Sequence, residues 1–140
     1  MVWIALVLPA LLLVLGLIVD IGTLYIANRA IQGTLDVSAT SALDSSVIEE
    51  SIIDSSTEIK IDPAAAKNNF YTLFNANVNL NSFIPAFLNG PISIQTLSVW
   101  DSGPPRMYIE ARVPVKTTIM RFLGDYDIIV KSEAVEEVFR

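Results

Sequence analysis

The sequence lacks cysteine and histidine altogether. That excludes disulfides, thiolate metal ligation, cysteine nucleophiles and imidazole acid–base chemistry together. A small extracellular domain without disulfides needs another stabiliser, and self-association is the obvious one. Charge is missing from one region: residues 1–19 contain no Asp, Glu, Lys or Arg, and no Ser, Thr, Asn or Gln. All nine Lys/Arg and all fifteen Asp/Glu come later, for a net charge of −6. That balance argues against nucleic acid and against anionic lipid surfaces as partners. No Asn-X-Ser/Thr sequon occurs either.

What is present is front-loaded. As a helix rising about 1.5 Å per residue, residues 1–19 reach roughly 28 Å, close to the thickness of a bilayer's hydrocarbon core. A cleaved secretory signal fits poorly, because no basic stretch precedes the run and the run is long. A buried core helix fits poorly too, since the rest of the chain is too small to wrap nineteen apolar residues. A plain single-span anchor remains open. No basic residue lies between Arg29 and Lys60, whereas Asp36, Asp44, Glu49, Glu50, Asp54 and Glu58 are acidic. Cytoplasmic flanks carry excess Lys/Arg, so the N-terminus is expected in the cytoplasm and the C-terminus outside. A basic leader removed by processing would account for the missing upstream charge.

The apolar run passes directly into an amphipathic one. Leu24, Ile31, Leu35 and Ala42 recur at helical intervals with Ala27, Ala30 and Ala39 between them, predicting one helix to about Val47. Gly16, Gly22 and Gly33 each cost roughly 1 kcal/mol against Ala in a helix interior. Close approach of another helix would compensate, because small residues let backbones meet. Pro9 lacks an N–H and is expected to kink or loosen the segment. Such a stalk cannot bury its own face, so Pro9, Gly16, Asp20, Gly22, Leu24, Ile31 and Leu35 are the candidate helix–helix assembly residues. Asp20 is the only acid near the run. It either lies at the outer interface or pairs between subunits with Arg29 or an amine.

The rest reads as α+β. Residues 38–57 are rich in Ser and Thr, a solvated helix end passing into a loop, with O-glycosylation as the alternative use. Asp62-Pro63 is a helix start, Asp as N-cap and Pro at the first helical position, for a helix to about Asn77. Phe70, Leu73, Phe74 and Asn77 share one face. Residues 83–88 read as a short apolar loop. The period then changes. Ile92, Ile94, Thr96, Ser98 and Trp100 alternate against Ser93, Gln95, Leu97 and Val99. Residues 107–115 and 127–135 are two further strands, with Pro114 at an edge or a strand end. The expected fold is a long N-terminal apolar-to-amphipathic helix over 1–50, of which 1–19 is the transmembrane or filament-core part. A globular domain of one or two helices and a three-stranded antiparallel sheet follows over 51–140.

No motif with a catalytic mechanism is present, so no enzyme activity and no cofactor is expected. The acidic pairs Glu49-Glu50 and Glu136-Glu137 read as solvated faces. A metal site on Asp36, Asp44 and Glu49 lacks the loop spacing it would need. Trp3, Tyr25, Phe70, Phe74 and Trp100 are expected mostly in the core.

Leu8-Pro9-Ala10-Leu11-Leu12-Leu13, Gly16-Leu17-Ile18-Val19-Asp20-Ile21-Gly22 and Leu24-Tyr25, followed by the small-residue stretch 35–43, resemble the N-terminal segment of TadE/TadG-like tight-adherence pilus proteins. Residues 111–115, 122–124 and 128–135 look like their closing strands. The resemblance implies a type IV pilin-like structural subunit, cut by a prepilin peptidase and handled by the pilus-assembly machinery. It would be held in the membrane before assembly and would then pack with copies of itself in a helical filament at the cell surface. A minor pilin or membrane-anchored assembly factor is the alternative, with an anchored extracellular binding module behind it. Pilin-like proteins commonly carry Glu at the fifth mature position; if Met1 is the mature N-terminus, that position here is Ala5, a departure from the pattern.

Overall fold

The computed structural model describes residues 2–48, 59–101 and 103–136. Glu49, Glu50, Glu137 and most of the acidic end of the Ser/Thr-rich stretch lie outside the described residues, and of residues 2–6 only the backbone is described. Among the described residues three α-helices and three strands follow in order: α1 (Val2–Asp44), α2 (Pro63–Leu80), α3 (Ile84–Phe87), β1 (Ser93–Trp100), β2 (Arg106–Val115) and β3 (Tyr126–Val135). The strands form one antiparallel sheet in the order β1-β2-β3.

α1 is a single helix of 43 residues that continues through Pro9. It ends at Asp44 rather than Val47, where Ser46 donates its backbone N–H and its hydroxyl to the Leu43 carbonyl and closes the last turn. α2 starts as the Asp-Pro pair predicts: the Asp62 carboxylate accepts from the Ala64 and Ala65 N–H groups at 2.8 and 3.2 Å, satisfying two orphan donors. It runs one turn beyond the expected end, to Leu80. Asn69 donates to Ser45 and Asn77 to Ser38, so α2 runs antiparallel to α1 along its upper half.

Three expectations are corrected. Residues 84–87 form a single helical turn, not a loop, and bury Ile84 and Phe87. In β1 the register shifts between Ile94 and Thr96. This bulge turns Ile94 to the face shared by Leu97 and Val99, away from that of Ser98 and Trp100, so all three apolar residues meet the core. Tyr25 and Trp100 are exposed rather than in the core, each with an arginine (Arg29 and Arg106) over its ring. Pro114 lies near the end of the central strand, past β1, whose pairing stops opposite Arg112. No β1 carbonyl waits there for its missing N–H.

The core is continuous from helix to sheet. Ala27, Ile31, Leu35, Ala39, Ala42 and Leu43 of α1 pack with Phe70 and Phe74 of α2 and with alternate β2 residues from Met107 to Val115. One face of α1 is therefore part of the globular unit. β3 climbs in the same direction as α1. Asp20 meets the connection before it, Asp36 accepts from Ser132, and Asp44 meets Glu136 just past its end. The β2–β3 connection and α3 consequently share the lower end of the unit, nearest the apolar segment. Lys116 donates to the Phe87 carbonyl at 2.7 Å there. The β1–β2 turn lies at the upper end, near Asp44.

Candidate membrane and assembly interface

Below the globular unit, α1 stands alone. Leucines 11–13, Leu15, Ile18 and Val19 are all more than half exposed, on every side of the helix. The stretch from Val7 is long and apolar enough to cross a membrane, and almost none of it is covered by the rest of the chain. An apolar surface of that extent requires a dry partner, lipid or protein.

The exposed region ends at Asp20, which is only 1% exposed. Its carboxylate accepts three backbone hydrogen bonds from the β2–β3 connection: Thr118 N–H to Oδ1 at 2.6 Å, and Ile119 and Met120 N–H to Oδ2 at 2.7 and 2.8 Å. Asp20 lies just past the apolar segment. Burial alone would raise its pKa, but the donors of Thr118, Met120 and Ile119 outweigh that and hold it below the usual carboxylate range. Within the chain its partners are a concave array of N–H groups from the β2–β3 connection. A short 3₁₀ turn, Met120–Phe122, follows.

Gly16 completes the docking. A Cβ built there would fall 2.3 Å from Ile119 Cγ1, so the glycine makes room for the isoleucine one turn below Asp20. Gly22 and Gly33 are different: a Cβ at either would meet nothing within 4 Å. Ile31 and Leu35 are fully buried in the chain's own core, and Leu24 is partly buried against it. Pro9 is exposed. Thus Gly16, Asp20, Leu24, Ile31 and Leu35 are occupied within the chain, whereas Pro9 and Gly22 face outward. The sequence reading missed Thr118, Ile119 and Met120. The available signal was Asp20 itself, a lone acid beside an apolar run that must find donors somewhere.

A stripe opposite the core face remains open: Ile18, Gly22, Tyr25, Ile26, Gly33 and Val37 at helical spacing. Tyr25 carries Arg29, whose Nε donates to the phenol oxygen at 3.4 Å. Residues 1–45, the length of α1, match the family model described as putative Flp pilus-assembly TadE/G-like. The N-terminal helix is TadE/G-like. The match stops where α1 stops and does not reach the sheet. No curated protein and no solved structure matches the chain.

At the upper end of the TadE/G-like helix, Glu136 hydrogen-bonds Asp44. Burial, that bond and the neighbouring charge push its pKa from 4.5 up to about 7. A raised folded-state value means that the folded protein holds a proton the unfolded chain has released. The stabilisation is full below about pH 4.5 and is lost as pH rises through about 7. Urea midpoints are therefore expected to fall between pH 5 and pH 8. Because the pair is near the surface the loss is of order 1 kcal/mol or less. Glu136→Gln should flatten the dependence over this range, and an unchanged slope in that variant would assign it to another group.

Proposed function

We propose that this protein is a structural subunit of an extracellular, type IV pilin-like filament. It resides in the membrane through the lower part of α1 before assembly and packs by that helix with its own copies. The observation that carries this reading is the outward stripe above Asp20. A plain anchor needs an apolar surface only across the bilayer, yet Tyr25 and Ile26 extend it above Asp20, and Val37 lies exposed on the same side three turns higher. Gly22 and Gly33 lie on or beside this stripe. Each costs helix stability of roughly 1 kcal/mol, and among the described residues nothing lies within 4 Å of where its Cβ would be. Close approach of neighbouring helices supplies such a contact, and subunit contacts repeated without closure build a filament.

The second reading is a membrane-anchored minor pilin or assembly component, which the family description, pilus assembly, favours. One experiment separates the two. Gly22→Leu with Gly33→Leu has open space for both side chains, so the variant should fold and enter the membrane. In the subunit reading it is absent from sheared surface filaments in which the unaltered protein is abundant. Unaltered protein that stays with the membrane while filaments are shed would make it an assembly component. Normal filaments from the double variant would remove the helix-packing argument.

A further inference from the structure

The lower end of the globular unit carries two large apolar side chains with no use inside the fold. Phe122 is 83% exposed and Leu123 is 79% exposed. They follow Ile119 by three and four residues through a 3₁₀ turn that rises only about 2 Å per residue. Ile119 is seated on Gly16, inside the apolar segment, and Asp20 grips the backbone of residues 118–120. The tip is therefore pinned beside the last turns of the segment expected to lie in lipid. Beside it opens a cleft of about 450 Å³ lined by Asn89, Lys116, Thr117, Arg121, Asp125 and Tyr126. Lys116 and Arg121 have no ion-pair partner among the described residues.

We infer that the loop of residues 116–124 is a second membrane contact: Phe122 and Leu123 enter the outer leaflet while Lys116 and Arg121 take lipid phosphates. The chemistry is that of an interfacial anchor, with apolar side chains at the boundary and cations at headgroup height. The occupant is lipid rather than a second copy because the tip is continuous with the exposed helix at the depth where the bilayer ends. The net charge of −6 works against an anionic leaflet. The phosphates of zwitterionic lipid, met by two local cations, fit better. The contact fixes the height and tilt of the globular unit over the membrane. It rests on the reading that α1 resides in a bilayer before assembly.

The absence of cysteine makes the test direct. Single variants Leu123→Cys, Leu12→Cys and Asp101→Cys of the full chain carry an environment-sensitive fluorophore in phosphatidylcholine vesicles with or without acyl-chain quencher lipids. The label at 12 reports the helix, the label at 123 the loop tip, and the label at 101 the far end. Quenching at 12 and 123 with none at 101 is the expected result, and Lys116→Glu with Arg121→Glu should reduce quenching at 123 alone. Quenching at 12 without quenching at 123 overturns the loop contact and leaves the membrane reading intact. No quenching at any position overturns both. A label at 123 that is shielded yet unquenched, and becomes exposed on dilution of protein in the vesicles, assigns the tip to a second copy.

Discussion

Asp20→Ala is expected to release the β2–β3 connection from α1 and to destabilise the protein by on the order of 3 kcal/mol. The reason lies in what is left behind. Three N–H groups converge on one carboxylate that is almost wholly buried. A buried donor deprived of its acceptor costs roughly 1–3 kcal/mol, and bonds to a charged acceptor are the stronger kind. Water reaching the opened site offsets part of the sum. Asp20→Asn should lose less, because one oxygen remains for Ile119 and Met120, although its amide then faces the Thr118 N–H. Two measurements check this, urea unfolding in detergent micelles and hydrogen exchange at residues 118–120. Exchange there should accelerate more than at the β2–β3 ladder. Unchanged protection of these amides in the alanine variant would mean that the loop is held by Ile119 on Gly16 and not by the carboxylate. A variant that unfolds more easily yet still assembles would also separate the fold's need for Asp20 from any role between subunits.

How much of this was legible depends on the range of the interaction. The apolar run, the helical period from Leu24 to Ala42, the Asp62-Pro63 start and the alternation in β2 and β3 are local signals, and the elements lie where those signals put them. The bulge in β1 was not readable. An extra residue near Gln95 looks like ordinary alternation until the partner strand shows that Ile94 and Leu97 share a face. Residues 84–87 were too few to display a helical period. Gly16, Gly22 and Gly33 are equivalent on the page as helix glycines. Only the fold distinguishes the one filled by Ile119 from the two that face open space. The Asp20 site was half legible. The acid is conspicuous, but its partners are backbone N–H groups about a hundred residues away, and every non-proline residue carries one.

Phe70→Ala should be the most damaging single truncation of the core, at about 3–5 kcal/mol, the usual cost of emptying a buried phenylalanine site. Phe70 is completely buried, stacks on Phe74 at 5.6 Å and meets the edge of Tyr71 at 5.7 Å. It lies in the core that joins α2 to α1 and to the sheet. A domain of this size has only about 5–15 kcal/mol in reserve, and no disulfide limits the loss. A large share of the variant should unfold at moderate urea, with a clear drop in midpoint. Phe122→Ala is the matched control: its ring is exposed, so the midpoint in detergent should not move. The exposed part of α1 contributes nothing to this core, so Phe70→Ala should still resist extraction from membranes by alkaline carbonate while its globular part is digested by protease. Loss of membrane retention together with the fold would show that the segment is held by the domain rather than by lipid. If retention survives, the apolar segment holds the chain in the membrane without help from the folded core. The two meet where Asp20 and Gly16 hold residues 118–120.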